Sequence, residues 1–63
     1  MNVKVLNTIP EAARQLSLSP RTIHRRIKDG QLDAVREGRA VRIPGAALLA
    51  YAASLPPVRS AAA

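Results

Sequence analysis

The sequence predicts a small α+β domain, mainly α, in the order helix, helix, two-stranded hairpin, closing helix. Three observations carry this. Two helix-start signals, Thr8-Ile9-Pro10-Glu11 and Ser19-Pro20, are each followed by apolar residues at helical spacing. The period then shortens in the two segments that flank Gly38-Arg39. Helical spacing returns after Pro44 and stops at Pro56-Pro57. At 63 residues the chain is one domain at most. A domain near this size buries only about 60% of the surface its unfolded chain exposes, so the core is a handful of side chains. There is no cysteine, hence no disulfide and no thiolate metal site. Stability must come from the core, from helix caps or from self-association.

The elements follow in order. Met1 to Asn7 reads as either a short lead-in strand or an arm, with Val3 and Val5 alternating with Asn2 and Lys4. Thr8 is a good N-cap, and Glu11 stands three residues on, as a capping box requires. Pro10 falls in the first turn, where its missing N–H costs nothing. Ile9, Ala12, Ala13 and Leu16 recur at helical spacing, so the first helix runs from about Ile9 to Leu16. Ser17 and Leu18 form a tight turn. Ser19 caps the second helix, Pro20 opens it, Ile23 and Ile27 share its buried face, and Gly30 ends it. Two helices joined by a three-residue turn are the helix-turn-helix arrangement. Gly38-Arg39 suits a two-residue type II′ hairpin turn, which sets Ala34 opposite Ile43 and Arg36 opposite Val41. Pro44 closes the hairpin. The last helix runs from about Gly45 to Ser54, with Leu48, Tyr51, Ala52 and Leu55 on one face. The domain is expected over residues 1–55, with a disordered tail over 56–63.

Charge points to the partner. Ten Lys and Arg face four Asp and Glu, a formal net charge of +6. Such a charge predicts attraction to polyanions. No apolar run approaches the roughly 18 residues a membrane span needs. Met1 to Thr8 has no apolar core of a secretory signal, so the chain is expected in the cytoplasm, on DNA, and in a host's cytoplasm if a phage encodes it. Tyr51 is the sole aromatic residue. Single-strand binders stack bases on aromatic platforms, so duplex DNA is favoured.

The basic residues fall on two elements. On the second helix Arg21, His24, Arg25 and Lys28 stand three and four apart, opposite Ile23 and Ile27. A helix fits the major groove, and arginine there can donate two hydrogen bonds to guanine. Thr22 can reach a phosphate or a thymine methyl. Exposed N–H groups at Ser19 to Arg21 can hold a phosphate. The hairpin adds Arg36, Arg39 and Arg42. Its tip can track the backbone or enter a minor groove, whose negative potential attracts arginine. The competing reading is a merely solvated basic surface. One-signed charge repeated on two elements weighs against it. His24 has no cysteine or carboxylate beside it, and Asp29, Asp33 and Glu37 form no catalytic pair. There is no phosphate-binding loop, nucleophile elbow or metal motif. The sequence therefore points away from an enzyme, a metal and a cofactor.

The runs Thr8-Ile9-Pro10-Glu11-Ala12-Ala13, Leu16-Ser17-Leu18-Ser19-Pro20-Arg21-Thr22-Ile23, Gly30-Gln31-Leu32, Ala34-Val35-Arg36, Gly38-Arg39 and Arg42-Ile43-Pro44 resemble the excisionase-type, MerR-like winged helix-turn-helix domains. The similarity covers about residues 6 to 55. It implies a winged helix-turn-helix whose second helix enters the major groove and whose wing contacts the minor groove or backbone. Those roles would fall on Arg21, Thr22, His24, Arg25 and Lys28, and on Arg39 and its neighbours. Position 26, commonly apolar in the family, is Arg26 here. Either it points outward as a further phosphate contact, or the helix is rotated. The family includes phage excisionases, which direct recombination, and small transcriptional regulators of the BldC type. Relatives also bind direct repeats head to tail and bend DNA. No dimerising coiled coil or ligand-sensing region of the MerR-type regulators is present in the sequence. An excisionase that bends an attachment site and directs a phage integrase towards excision is the expected function. A stand-alone regulator is the alternative. An RNA-binding or protein-interaction module using the same basic surface is the alternative of another class.

Overall fold

The computed structural model describes residues 4–58. Strand β1 (Leu6–Asn7) leads into helix α1 (Ile9–Leu16) and helix α2 (Pro20–Lys28). Strands β2 (Val35–Glu37) and β3 (Ala40–Pro44) form the hairpin, and helix α3 (Gly45–Ser54) follows at once. The helix limits are those that the caps and prolines predict. Met1 to Val3, including one residue of the Val3/Val5 alternation, and the greater part of the expected tail, 59–63, lie outside the described residues. Pro56 to Val58 are exposed and belong to no element.

Thr8 starts α1 because its own backbone is extended (φ −75°, ψ 167°) while its side chain already serves the helix. The backbone N–H of Glu11 donates to Thr8 Oγ1 at 3.2 Å, and the backbone N–H of Thr8 donates to Glu11 Oε1 at 2.8 Å. Both halves of the capping box are made. The helix ends at Ser17, which sits in the left-handed region (φ 58°). There the Leu18 N–H reaches the Ala13 carbonyl (2.9 Å) and the Ser17 N–H that of Arg14 (3.3 Å). This is the paired 6→1 and 5→2 bonding of a Schellman ending. Helix α2 ends the same way. Gly30 (φ +79°) lets the Gln31 N–H reach the Arg26 carbonyl (2.9 Å) and its own N–H that of Ile27 (3.1 Å).

The hairpin has the predicted register: Val35 pairs with Arg42, Arg36 with Val41, and Glu37 with Ala40. Gly38 has φ +62°, and Ser17 is the one non-glycine residue with positive φ among the described residues. Arg39 therefore has negative φ, the sign pattern of a type II′ turn. The sheet has a third strand beyond the two of the hairpin. β1 pairs antiparallel with β3, Leu6 with Pro44 and Asn7 with Ile43, giving the order β1-β3-β2. Of the two readings of the lead-in, the strand is the one found for Leu6–Asn7.

The core is Ala12, Ala13, Ile23, Leu32, Ile43, Leu48 and Tyr51, with Ile9, Leu16, Leu18, Ile27, Ala34 and Ala47 half-buried against it. Leu32, in the loop before the hairpin, is a core residue without a periodic pattern to announce it. The expected face of α3 is corrected at its far end. Leu48 and Tyr51 are buried, but Ala52 is exposed and Leu55 is 50% exposed. α3 packs on β3 and α1 alone among the element pairs in substantial contact, and those cover only a narrow strip of it.

Asn7 is the one fully buried polar residue among those described. Its Nδ2 donates to the carbonyls of Lys4 (3.0 Å) and Ile43 (3.1 Å), and its Oδ1 accepts from Gln15 Nε2 (2.8 Å). One side chain thus ties β1, α1 and β3. Asn7→Ala strips the donor from a buried carbonyl and is expected to cost about 1–3 kcal/mol. Urea unfolding should show a lower midpoint at unchanged slope. An unchanged midpoint would remove Asn7 from the framework.

Lys4 Nζ lies 2.7 Å from Glu11 Oε2. That bond first, and the Thr8 backbone N–H next, hold the Glu11 carboxyl at about 2, below its ordinary 4.5. A depressed carboxyl stabilises the fold above its unfolded pKa and ceases to do so as pH falls through its folded one. The gap in thermal midpoint between the native chain and Glu11→Gln should therefore be present at neutral pH and close between about 4.5 and about 2. A gap independent of pH would mean that the charge of Glu11 contributes nothing.

Candidate nucleic-acid interface

The apolar stripe of α2 decides which of its cations face outward. Ile23 is fully buried and Ile27 half-buried. At about 100° per residue, Arg21, Arg25 and Lys28 fall on the other side and His24 on the flank next to Ile27. All four are exposed. Among the described residues none of them makes a side-chain hydrogen bond or ion pair, and Lys4–Glu11 is the ion pair present. The face is one-signed and uncompensated, and the acids nearest in sequence, Asp29 and Asp33, lie beyond the helix end.

Ser19 and Thr22 are occupied with starting the helix. The Thr22 N–H donates to Ser19 Oγ at 3.1 Å, and the two hydroxyl oxygens lie 2.9 Å apart. Ser19 is exposed and Thr22 half-buried. Their hydroxyls therefore shape the N-terminus of α2 within the protein itself.

The hairpin lies beside the C-terminal end of α2. A shallow groove of about 200 Å³ is lined by Ile27 from the helix and by Ala34, Val35, Arg36 and Val41. Arg36 pairs with Val41 and shares its side of the hairpin, facing this groove. Arg39 is exposed at the tip. Arg42 pairs with Val35 on the opposite side; it is half-buried, and its Nη1 donates to the carbonyl of Val41 at 3.0 Å. The structure thus brings Arg21, Arg25 and Lys28 onto one helix face with His24 at its edge, sets Arg36 next to that helix and Arg39 at the tip, and leaves Arg42 on the far side.

Arg26 follows neither expected course. It does not point freely outward, and the helix is not rotated away from Ile23 and Ile27. It is half-buried, and its Nε donates to the hydroxyl of Tyr51 at 3.3 Å. Sequence spacing does not reveal a partner 25 residues away on another helix. Among the described residues no group of three or more histidine, cysteine or acidic residues could hold a metal. No helix there is long and apolar enough to cross a membrane.

A family model described as a helix-turn-helix domain matches residues 8–56, from the cap of α1 to beyond α3. A protein of Saccharopolyspora erythraea described as a probable excisionase is 42% identical over 59 residues, which are 94% of this chain. The chain spans about 60% of that relative's length. No solved structure matches. The chain belongs to the excisionase-type helix-turn-helix family, a DNA-binding and non-enzymatic class.

The cap has a consequence that separates stability from binding. Ser19→Ala should cost about 1 kcal/mol in thermal unfolding, the usual worth of an N-cap. Ser19→Asp should restore the midpoint, because aspartate caps as well, yet weaken duplex binding by placing a negative charge at the helix N-terminus. Equal DNA affinity for the native chain and Ser19→Asp in fluorescence anisotropy would place this N-terminus away from DNA.

Proposed function

We propose that this chain is an excisionase. It binds repeated sites at a recombination attachment site as sequence-specific duplex contacts, copies associate head to tail, the DNA bends, and a phage integrase is directed towards excision. The relative's 42% identity across 94% of this chain is the observation that carries this reading. The unpaired cations of α2 and the hairpin supply its chemistry.

In this reading α2 lies in the major groove. Arg25, central on the exposed face, reads a guanine through two parallel hydrogen bonds, with Arg21, His24 and Lys28 around it. At the capped start of α2 the backbone N–H of Arg21 is offered to a phosphate, since Pro20 has none and that of Thr22 donates to Ser19 Oγ. Arg36 and Arg39 follow the backbone or minor groove beside the helix. Arg42 lies on the far side of the hairpin, where it can meet only a phosphate that the DNA brings round by bending. The class of partner follows from charge: a +6 surface releases counterions when it meets phosphates, and affinity falls steeply with salt.

The test is a nuclease footprint, titrated across DNA flanking the chain's gene. Several phased protected repeats beside an attachment site, with enhanced cleavage between them, are expected. A single protected promoter site would replace the excisionase by a regulator, and no specific protection would remove sequence-specific binding. The same DNA sorts the residues. Arg25→Ala should lose about 1–3 kcal/mol of discrimination between the site and other duplexes. Arg39→Ala should weaken all duplexes alike and flatten the log–log salt slope by about 0.9, the share of one phosphate.

A further inference from the structure

Arg26 breaks the pattern of the helix that carries it. Its neighbours in the cationic face are exposed, whereas it is half-buried and bonded through Nε to Tyr51. Tyr51 belongs to the core and is only 7% exposed. Among the described residues this is the one hydrogen bond between α2 and α3, and the Arg26 Nε–H is the one partner of the Tyr51 hydroxyl.

The position of this bond around the helix gives it a role. Arg26 lies about 60° from Ile23 around α2, on the flank of the apolar stripe, while Arg25 lies about 160° away. An apolar stripe holds a helix against a core but resists rotation weakly, because Ile23 and Ile27 find apolar contacts over a range of angles. A directional bond on the flank resists rotation. A turn of about 20° moves a side chain at a radius of about 5–6 Å by about 2 Å. A bidentate base contact tolerates about 0.5 Å. The carbonyl of Arg26 also accepts the N–H groups of Gln31 and Leu32 (2.9 and 3.2 Å), so the same residue fixes where the chain leaves α2 for the hairpin.

We infer that Arg26 is a positioning residue: tied to Tyr51, it sets the rotation of α2 and so the reading geometry of Arg25, without itself touching DNA. This rests on the duplex-binding reading above, and it assigns to α3 a share in sequence recognition.

The test compares the full chain with Tyr51→Phe, Arg26→Lys and the double variant, at a temperature where circular dichroism shows all of them folded. Affinity for the footprinted site and for an unrelated duplex is measured by anisotropy over a range of salt. Tyr51→Phe removes one oxygen, changes no charge and keeps the ring in place. It should lower the ratio of specific to non-specific affinity about fivefold, the size of one net hydrogen bond, and leave the salt slope unchanged. Arg26→Lys keeps the charge but lacks the Nε donor, and should lose the same ratio. The double variant should lose no more than either alone. An unchanged ratio in Tyr51→Phe overturns the inference. So does a full ratio in Arg26→Lys, which would mean that charge alone matters at this position. Additive losses would overturn it as well, since the two groups would then act independently. If the unaltered chain binds no duplex, the functional reading fails first and the positioning role falls with it. If it binds and only the variants behave otherwise, the positioning role alone fails.

Discussion

Burial of β3 at the centre of this domain holds β1, β2, α1 and α3 directly, and α2 is held through α1. Ile43 is fully buried, β3 pairs with β1 on one side and β2 on the other, and α1 and α3 both pack against it. A central strand so short has little sheet of its own to stabilise it. Asn7 compensates locally by donating to the Ile43 carbonyl while holding β1 and Gln15 of α1. A buried amide with its donors and acceptor engaged specifies one arrangement, because any other leaves polar groups unpaired in a low dielectric. The hairpin that carries Arg36 and Arg39 is therefore anchored through its inner strand to the same core that anchors α2 through Ile23.

The core, together with the half-buried side chains packed against it, takes up most of the large apolar side chains among the described residues and none of the cations. A formal charge of +6 on a domain with seven buried apolar core residues works against compactness through self-repulsion. The single ion pair among the described residues, Lys4–Glu11, does little to relieve it, since exposed pairs contribute little. What offsets it is local: two capped helix starts, two Schellman endings and a matched hairpin turn. A polyanion that binds the folded state alone also stabilises it in proportion to its concentration. Fold stability and DNA binding are coupled in such a chain, because the unpaired charge that opposes the one drives the other.

The neighbouring arginines on α2 show how one helix divides its labour. Arg25 and Arg26 are chemically identical and adjacent, yet a single step of about 100° separates an exposed guanidinium from one that lies against Tyr51. The outer one is available to a ligand. The inner one orients the helix that presents it. An apolar side chain at position 26 could fill that space but would leave the Tyr51 hydroxyl, on a buried ring, without this donor.

The amino-acid sequence by itself determined the limits of all three helices, the hairpin register, the type II′ turn and the exposed cations of α2. Each of these is governed by interactions spanning a few residues: Thr8 with Glu11, Ser19 with Thr22, Gly30 at a helix end, Gly38 at a turn. Only the tertiary structure decided that Leu6–Asn7 is a third strand, that Asn7 and Leu32 are buried, that Ala52 and Leu55 are not, and that Arg26 turns inward. Those outcomes depend on which flank of an element another element covers. Local periodicity marks the apolar side of a helix but not how wide the covering will be. A bond between residues 25 apart exists only once the core has brought α2 and α3 together.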